Sequence, residues 1–229
     1  MSKIAVAVLN RKGGVGKTTI AVILAELALI RKNKVLAVDL DPSRNFSDAL
    51  GFLRKSSYKD SLRVKTSLED SDADSSEEWI VIDCPPNLED ASRNAINFAD
   101  ITVVPVRPDF FSLSNLGVMY SIAQKFGKDR LQLPLVKVGY DNAVMTKIAN
   151  QIIAERNYPV AGDLPIHKHI PYNITSGRVW SMGLIASSRQ PYEKLFERIA
   201  AAVEKMKAQA PDVNEVWSGK EEDTENADI

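Results

Sequence analysis

A glycine-rich segment near the start of the chain constrains the fold most strongly. Residues 10–19 read Asn-Arg-Lys-Gly-Gly-Val-Gly-Lys-Thr-Thr. An apolar, strand-like run at residues 4–9 precedes this segment, and a helix-like run at 18–32 follows it. Glycines between a strand and a helix allow a tight turn whose N–H groups point inward, and the helix N-terminus adds partial positive charge. The segment is therefore predicted to be a phosphate-binding loop.

Each residue type in this loop has a chemical reason to be there. The side chain of Lys17 can reach the β- and γ-phosphates of a nucleotide, and the hydroxyl of Thr18 can ligate Mg²⁺. A glycine-rich surface turn is the alternative, but the Gly-Lys-Thr ending and the strand–helix context both disfavour it. The predicted nucleotide contacts in the loop are Gly13, Gly14, Val15, Gly16, Lys17, Thr18 and Thr19.

Strand-like and helix-like segments alternate along the rest of the chain. Further strands are predicted at residues 35–40, 79–83, 101–106 and 133–138, and further helices at 88–98, 112–126, 144–157 and 190–208. The strand-like runs are continuously apolar, as expected for strands that are buried on both faces. The pattern predicts an α/β fold with three layers, α/β/α, around a mostly parallel central sheet. Residues 44–78 are predicted to hold one short helix at about 46–52 and then loops, including an exposed acidic loop at 69–78.

Composition and charge divide the chain into a domain and a tail. A length of 229 residues with 45% hydrophobic and 26% charged residues suits one globular domain. Residues 212–229 carry a net charge of −6, which leaves +5 for residues 1–211. We therefore expect a domain at 1–210 and an acidic, disordered tail at 211–229. The single cysteine excludes an intramolecular disulfide framework, and without a signal peptide or an apolar membrane span the expected location is the cytoplasm.

Residues 12–19, Lys-Gly-Gly-Val-Gly-Lys-Thr-Thr, resemble the deviant Walker A motif of the ParA/MinD/Soj ATPases. The resemblance implies a P-loop NTPase fold, ATP and Mg²⁺ as cofactors, ATP hydrolysis and an ATP-dependent homodimer. In that family an additional lysine, here Lys12, contacts the phosphates of the ATP held by the other subunit. Such a cation stabilises the transferring phosphoryl group only when two subunits meet. A solvated loop lysine is the alternative.

Two acidic segments match the same family. Residues 35–42, VLAVDLDP, resemble its second acidic motif, which implies that Asp41 positions the attacking water and that Asp39 lies near the metal. Aspartates that merely cap a strand end are the alternative. Residues 79–86, WIVIDCPP, resemble its Walker B segment, so Asp83 is expected to hold a Mg²⁺-bound water. Cys84 is predicted to be a small buried neighbour and not a nucleophile.

Residues 99–116 resemble the family's strand and proline-bearing loop near the dimer face. The resemblance suggests that residues 107–109 touch the partner subunit or the nucleotide, whereas Phe110 and Phe111 are predicted to pack. In the family the base is held by two later loops, which correspond here to residues 140–142 and 170–173. The first departs from the family pattern, because Gly139 stands where an asparagine is usual. Pro171 is the candidate adenine contact.

The acidic tail and the single cysteine indicate which branch of the family the chain resembles. The acidic tail lacks the amphipathic membrane helix of MinD-type proteins, and one cysteine does not suit iron–sulfur relatives. A short ParA-type ATPase for plasmid or chromosome partition remains. It is expected to bind nucleoid DNA non-specifically as a dimer and to be released when a ParB-type or small DNA-binding partner stimulates hydrolysis. The alternatives are an adaptor or spatial regulator that positions a protein cargo without DNA, and a small-molecule kinase or ligase, which Lys12 disfavours.

The last predicted helix carries a candidate DNA-binding surface. At about 100° per residue, three of its basic side chains share one face, while Leu195, Ile199 and Val203 point elsewhere, toward the core. A basic stripe beside an apolar face can bind phosphates. An ordinary solvated helix face is the alternative. The candidate residues are Lys194, Arg198 and Lys205 in the stripe, with Arg178 and Arg189 upstream.

Overall fold

In the computed structural model, a seven-stranded sheet forms the middle of the protein. The structure describes residues 3–51, 58–140, 143–165 and 186–208, together with Trp217. The strands lie in the order β3-β2-β4-β1-β5-β6-β7, and every neighbouring pair is parallel. Their bounds are Ile4–Val8 (β1), Val35–Asp39 (β2), Leu62–Lys65 (β3), Trp79–Asp83 (β4), Ile101–Val106 (β5), Leu135–Val138 (β6) and Val160–Leu164 (β7). The predicted parallel sheet is confirmed.

Helices cover both faces of this sheet. Those within the described residues are Lys17–Ile30 (α1), Asn45–Leu50 (α2), Asp90–Phe98 (α3), Phe110–Ser114 (α4), Leu116–Lys125 (α5), Val144–Glu155 (α6) and Ala186–Ala208 (α7). In the described part of the chain, two short 3₁₀ helices, Asp70–Asp74 and Arg130–Gln132, lie in the connections. Parallel neighbouring strands need crossover connections, which are usually helices. Here the helices lie on both faces of the sheet and form two outer layers. The predicted three-layer α/β/α fold is confirmed.

Two apolar clusters, one on each face, hold the layers together. On one face, β-strand residues such as Val6 and Val81 pack against α1 and α7, which contributes Leu195, Ile199 and Val203. On the other face, residues such as Ile80 pack against α3, α5 and α6. The central strands β1, β2, β4 and β5 are buried along their whole length. Burial on both faces explains why their sequences are continuously apolar.

The region between β2 and β4 is more ordered than predicted. Residues 44–78 contain the predicted short helix, as α2, but also the edge strand β3 and the 3₁₀ helix at Asp70–Asp74. The prediction of an exposed acidic loop at 69–78 was wrong for Asp72, whose buried carboxylate accepts hydrogen bonds from Lys65 at 2.8 and 2.9 Å. The ion pair compensates for burying the charge and fastens the 3₁₀ helix to β3.

Two other elements differ from the predictions. The single helix predicted at 112–126 is two helices, α4 and α5, separated at Asn115. An additional edge strand, β7, follows α6. None of the helices described in the structure is long and apolar enough to cross a membrane.

One residue of the predicted disordered tail is described, and it packs on the core. Trp217 is buried, and its indole N–H donates to the Leu131 carbonyl at 3.1 Å. The Arg198 guanidinium of α7 donates to the Trp217 carbonyl at 2.6 Å and to the Val160 carbonyl at 3.3 Å. A chain position nine residues beyond α7 is thereby attached to the domain.

Candidate phosphate-binding site

The glycine-rich loop lies between β1 and α1, as predicted. Gly14 and Gly16 adopt positive φ angles of 73° and 100°, a conformation that glycine reaches without steric cost. Gly16 is the N-cap of α1, and among the described residues no side chain caps this helix and no acid lies in its first turn. A Cβ atom added to Gly13, Gly14 or Gly16 would meet nothing within 4 Å. The loop therefore borders open space at a helix N-terminus, which suits an anion.

Asn10 fixes the start of this loop. Its buried side chain donates to the Pro105 carbonyl at 2.7 Å and accepts from the Lys12 N–H at 2.9 Å. The amide thus ties the loop to the carboxyl end of β5. Sequence reasoning assigned Asn10 no role, although a polar residue directly after a continuously apolar strand was a signal for one.

The hydroxyl of Thr18 meets the carboxylate at the end of β4. Thr18 Oγ1 donates to Asp83 Oδ2 at 2.6 Å, and Asp83 is fully buried. Its other oxygen, Oδ1, has no hydrogen-bond partner among the described residues. A buried carboxylate oxygen without a partner is costly and marks a place for a ligand. Hydroxyl and carboxylate oxygens are ligands of the type that Mg²⁺ prefers, so this pair fits the predicted metal site.

Lys17 lies at the centre of the site. Its side chain is mostly buried, and Nζ donates to the Lys12 carbonyl at 3.3 Å. Burial lowers the pKa of the Lys17 ammonium, and the carboxylates of Asp83 and Asp41 act in the opposite direction. Cys84 is fully buried as predicted, and burial together with the Asp83 carboxylate raises the pKa of its thiol. A thiol kept neutral in this way is not a nucleophile.

The two acids after β2 have different surroundings. Asp39 is fully buried and pairs in register with Asp83 across β2 and β4. Asp41 is half-buried, and its Oδ1 accepts from the Ser43 N–H at 2.9 Å. The parallel sheet therefore brings Asp39, Asp41 and Asp83 to the same edge as the loop, as expected for carboxyl ends of neighbouring strands. In the described part of the chain, no three His, Cys, Asp or Glu residues form a complete metal-ligand group.

Lys12 forms an ion pair with a residue of the loop after β5. Its Nζ lies 2.7 Å from Asp109 Oδ2, and about a third of each side chain is exposed. Asp109 also caps α4, accepting from the Ser112 N–H at 2.9 Å and the Ser112 hydroxyl at 3.0 Å. Burial would raise the pKa of Asp109, but the hydrogen bonds from Lys12 and Ser112 outweigh it, and the pKa lies below its ordinary value. This ion pair is not predicted from the sequence.

The aromatic residues that follow Asp109 face solvent. Phe110 and Phe111 are 69% and 68% exposed, and their rings lie 5.8 Å apart, edge to face. The prediction that they pack in the protein was wrong, because Asp109 begins α4 in an orientation that leaves both rings outside the core. Arg11 donates to the Asn115 side chain at 3.1 Å. Together with the ion pair between Lys12 and Asp109, this bond joins the start of the phosphate loop to both ends of the segment 109–115.

The predicted DNA-binding residues of α7 are not equivalent. Lys194 and Lys205 are exposed, whereas Arg198 is half-buried and directed at two backbone carbonyls. Arg189 is half-buried, and its Nε has no hydrogen-bond partner in the described structure. The other predictions for this stretch, Arg178 and the adenine contact Pro171, lie outside the described residues, as do 141–142 of the first base loop.

A glycine loop before a helix, a buried lysine within it and an aspartate at the end of the adjacent strand together define a P-loop NTPase fold. Comparisons with known proteins agree. A family model described as an AAA domain matches residues 2–75. The chromosome-partitioning ATPase Soj of Treponema pallidum (strain Nichols) is 26% identical, over 84% of this chain and 95% of that protein.

Two other similar proteins are named for different processes, carboxysome distribution and plasmid partition. The maintenance of carboxysome distribution protein A of Gloeobacter kilaueensis is 42% identical, over 45% of this chain and 49% of its own length. The crystal structure of a plasmid partition protein from Borrelia burgdorferi B31, bound to AMPPNP, superposes with a TM-score of 0.68 at 18% identity, over 90% of this chain and 100% of that chain. The resemblance to the ParA/MinD/Soj ATPases that the sequence predicts is confirmed.

Proposed function

We propose that this protein is a Mg²⁺-dependent ATPase of the ParA type, which binds ATP in the loop at residues 12–19. The observation that carries the proposal is the contact between Thr18 and Asp83, which leaves one buried Asp83 oxygen without a partner among the described residues, beside the phosphate loop. This is the place of a metal that accompanies a triphosphate. The AMPPNP-bound partition protein has the same fold, which supports ATP as the nucleotide.

The side chains of the loop have distinct tasks in this proposal. Backbone N–H groups of residues 13–19 hold the phosphates, and the Lys17 ammonium neutralises the β- and γ-phosphate oxygens. Asp41 orients the attacking water. Mg²⁺, when bound, would neutralise charge on the β- and γ-phosphate oxygens, and Thr18 and Asp83 would hold it, with Asp39 behind them. Pro171 is the proposed contact with the adenine.

The proposal includes an ATP-dependent homodimer. Lys12 lies in the phosphate loop with about a third of its side chain exposed, so a second subunit can reach its ammonium once that ammonium leaves Asp109. In the dimer we expect Lys12 to act on the nucleotide of the other subunit, where a cation stabilises the transferring phosphoryl group. A partner of the ParB type, or a small DNA-binding protein, would then stimulate hydrolysis and dissolve the dimer.

We further propose that the dimer binds DNA without sequence preference, in the cytoplasm and on the nucleoid. The exposed lysines Lys194 and Lys205 of α7 support this, together with the +5 charge of residues 1–211. Arg178 and Arg189 are further proposed contacts, whereas the predicted contact Arg198 is engaged by two backbone carbonyls. A dimer presents two such surfaces to one duplex, so avidity makes its affinity exceed that of the monomer.

The test compares DNA affinity in two nucleotide states. Fluorescence anisotropy with two unrelated duplexes should show tighter binding with AMPPNP than with ADP, equal for both sequences and weaker as salt rises. The double variant Lys194→Glu and Lys205→Glu should weaken binding without changing nucleotide affinity. A matched control, Lys125→Glu with Lys147→Glu, makes the same charge change on exposed residues of α5 and α6, on the opposite face of the sheet. Equal loss in the control would contradict the α7 surface.

The alternative is an ATPase that positions a protein cargo without binding DNA. The 42% identity to a carboxysome distribution protein, which is the highest identity among the relatives described above, favours a protein cargo. The two functions differ in one outcome: the absence of DNA binding in every nucleotide state at low salt would leave only the positioning function. Preserved ATP-dependent dimerisation under the same conditions would show that the chain itself is functional.

A further inference from the structure

Both oxygens of the Asp39 carboxylate bind backbone N–H groups of the segment that follows β2. Oδ1 accepts from the Asp41 N–H at 3.2 Å, and Oδ2 accepts from the Ser47 N–H at 2.8 Å. Asp39 is fully buried. Hydrogen bonds from N–H groups to a carboxylate are among the stronger ones in proteins, and burial strengthens them further. The segment 41–47 therefore turns around a fixed negative charge.

The backbone of Asp39 fastens the same segment a second time. The guanidinium of Arg44 donates to the Asp39 carbonyl at 2.5 Å, and the Arg44 N–H donates to the Asp41 carbonyl at 3.0 Å. Arg44 has a φ of 58°, which costs energy for a non-glycine residue and persists only where its surroundings hold it. The result is a short turn, held by several hydrogen bonds to Asp39, that places the half-buried Asp41 side chain near Lys17 of the phosphate loop.

The hydrogen bonding of the Asp83 carboxylate differs from that of Asp39. One of its oxygens binds the Thr18 hydroxyl and the other has no partner in the described structure, so Asp83 retains an oxygen for a ligand. Asp39, in register beside it, has each oxygen engaged by a backbone group. The two buried aspartates of the site are thus built for different tasks.

We propose that Asp39 is a positioning residue that holds the Asp41 turn in its active geometry, and that it is not a metal ligand. This proposal rests on the proposed function, in which Asp41 orients the attacking water. A small misplacement of such a group is costly: about 1 Å can reduce a rate by about 10²-fold. Asp39 then determines the rate of hydrolysis through Asp41, without contributing to the affinity for Mg²⁺.

The experiment uses Asp39→Asn in the full chain, with two independent measurements. An amide side chain has only one accepting oxygen, so at least one of the N–H groups of Asp41 and Ser47 loses its acceptor. In the nucleotide-free protein, hydrogen exchange of the affected amides should become about 10- to 100-fold faster. In the presence of ATP, kcat should fall by about 10²-fold, while the nucleotide dissociation constant and the half-saturating Mg²⁺ concentration stay unchanged.

Two other variants serve as controls for these measurements. Asp41→Asn should reduce kcat without accelerating exchange of the Ser47 amide. Asp83→Asn should raise the Mg²⁺ requirement. If Asp39→Asn does not fold, as judged by circular dichroism, Arg44→Ala replaces it, because that side chain is only half-buried; it should change exchange and kcat in the same direction to a smaller extent.

A raised Mg²⁺ requirement in Asp39→Asn with normal amide exchange would overturn the proposal and make Asp39 a ligand. Unchanged exchange with unchanged kcat would overturn it as well. The exchange measurement needs no hydrolysis, so it separates the role of Asp39 in the turn from the proposed ATPase function. If the wild type has no ATPase activity but Asp39→Asn still shows faster exchange, the proposed function is contradicted and the role of Asp39 in the turn is retained.

Discussion

The ion pair between Lys12 and Asp109 should oppose dimerisation. In the single subunit the Lys12 ammonium lies 2.7 Å from the Asp109 carboxylate, and it has to leave this carboxylate to reach a nucleotide in another subunit. Asp109→Asn removes the charge and retains the cap on α4, because asparagine is as good an N-cap as aspartate. The variant should therefore release Lys12 without unfolding α4.

The structure sets the size of this effect. Lys12 and Asp109 are each about one-third exposed, so the pair contributes about as much as a surface ion pair, roughly 0.2–1 kcal/mol. A dimer breaks two such pairs, one in each subunit. Removing both should favour the dimer by about 0.4–2 kcal/mol, or about 2- to 30-fold in the dissociation constant.

Sedimentation equilibrium with Mg²⁺ and AMPPNP measures that constant. The difference between wild type and Asp109→Asn should shrink at high salt, which screens the ion pair. Asp90→Asn is the matched control, because it makes the same charge change at a carboxylate on α3 that is 96% exposed. An Asp109→Asn dimer that is as weak as the wild type, or weaker, would show that the ion pair does not oppose dimerisation.

Three further predictions concern the phosphate site. Lys17→Ala should weaken ATP binding by about tenfold or more, since the phosphates lose a cation; unchanged affinity in calorimetry would remove the phosphate-loop assignment. Asp41→Ala should bind Mg-ATP normally but hydrolyse it slowly, so that the dimer persists; normal turnover in a phosphate-release assay would contradict its role. Burial, together with the charges of Asp39 and Asp41, raises the pKa of Asp83 to about 7, although the hydrogen bond from Thr18 and the charge of Lys17 lower it. In the ligand-free chain the folded state therefore keeps a proton that the unfolded state releases near pH 4, and the free energy of unfolding should fall by up to about 4 kcal/mol between pH 4 and 7. Urea unfolding of Asp83→Asn should lack this decrease, and a wild-type stability that rises over this range would contradict the pKa of Asp83.

The central strands could be predicted from sequence, and the edge strands could not. Strands buried on both faces need continuous apolar runs, and β4, Trp79–Asp83, has the bounds that its sequence predicts. The edge strands β3, Leu62–Lys65, and β7, Val160–Leu164, include charged or exposed positions. Each joins the sheet through the backbone of one neighbour, which leaves little trace in an apolar pattern.

In the site, features formed by residues close in sequence could be predicted, and contacts between distant residues could not. The phosphate loop is local in sequence, so its glycines, Lys17 and Thr18 could be identified from their order and context. The pairing of Lys12 with Asp109 joins residues 97 positions apart and depends on how β1 and β5 lie in the sheet. The exposure of Phe110 and Phe111 likewise follows from where Asp109 begins α4, which hydrophobicity alone does not indicate.

The most direct test of the proposed ATPase switch is the mass of the protein in two nucleotide states. Light scattering in Mg²⁺ should give a mass near the 25.3 kDa of one chain with ADP and near twice that value with AMPPNP. Lys17→Ala should stay at the lower mass in both. A wild-type mass that does not depend on whether the nucleotide carries a γ-phosphate would contradict the ATP-dependent dimer.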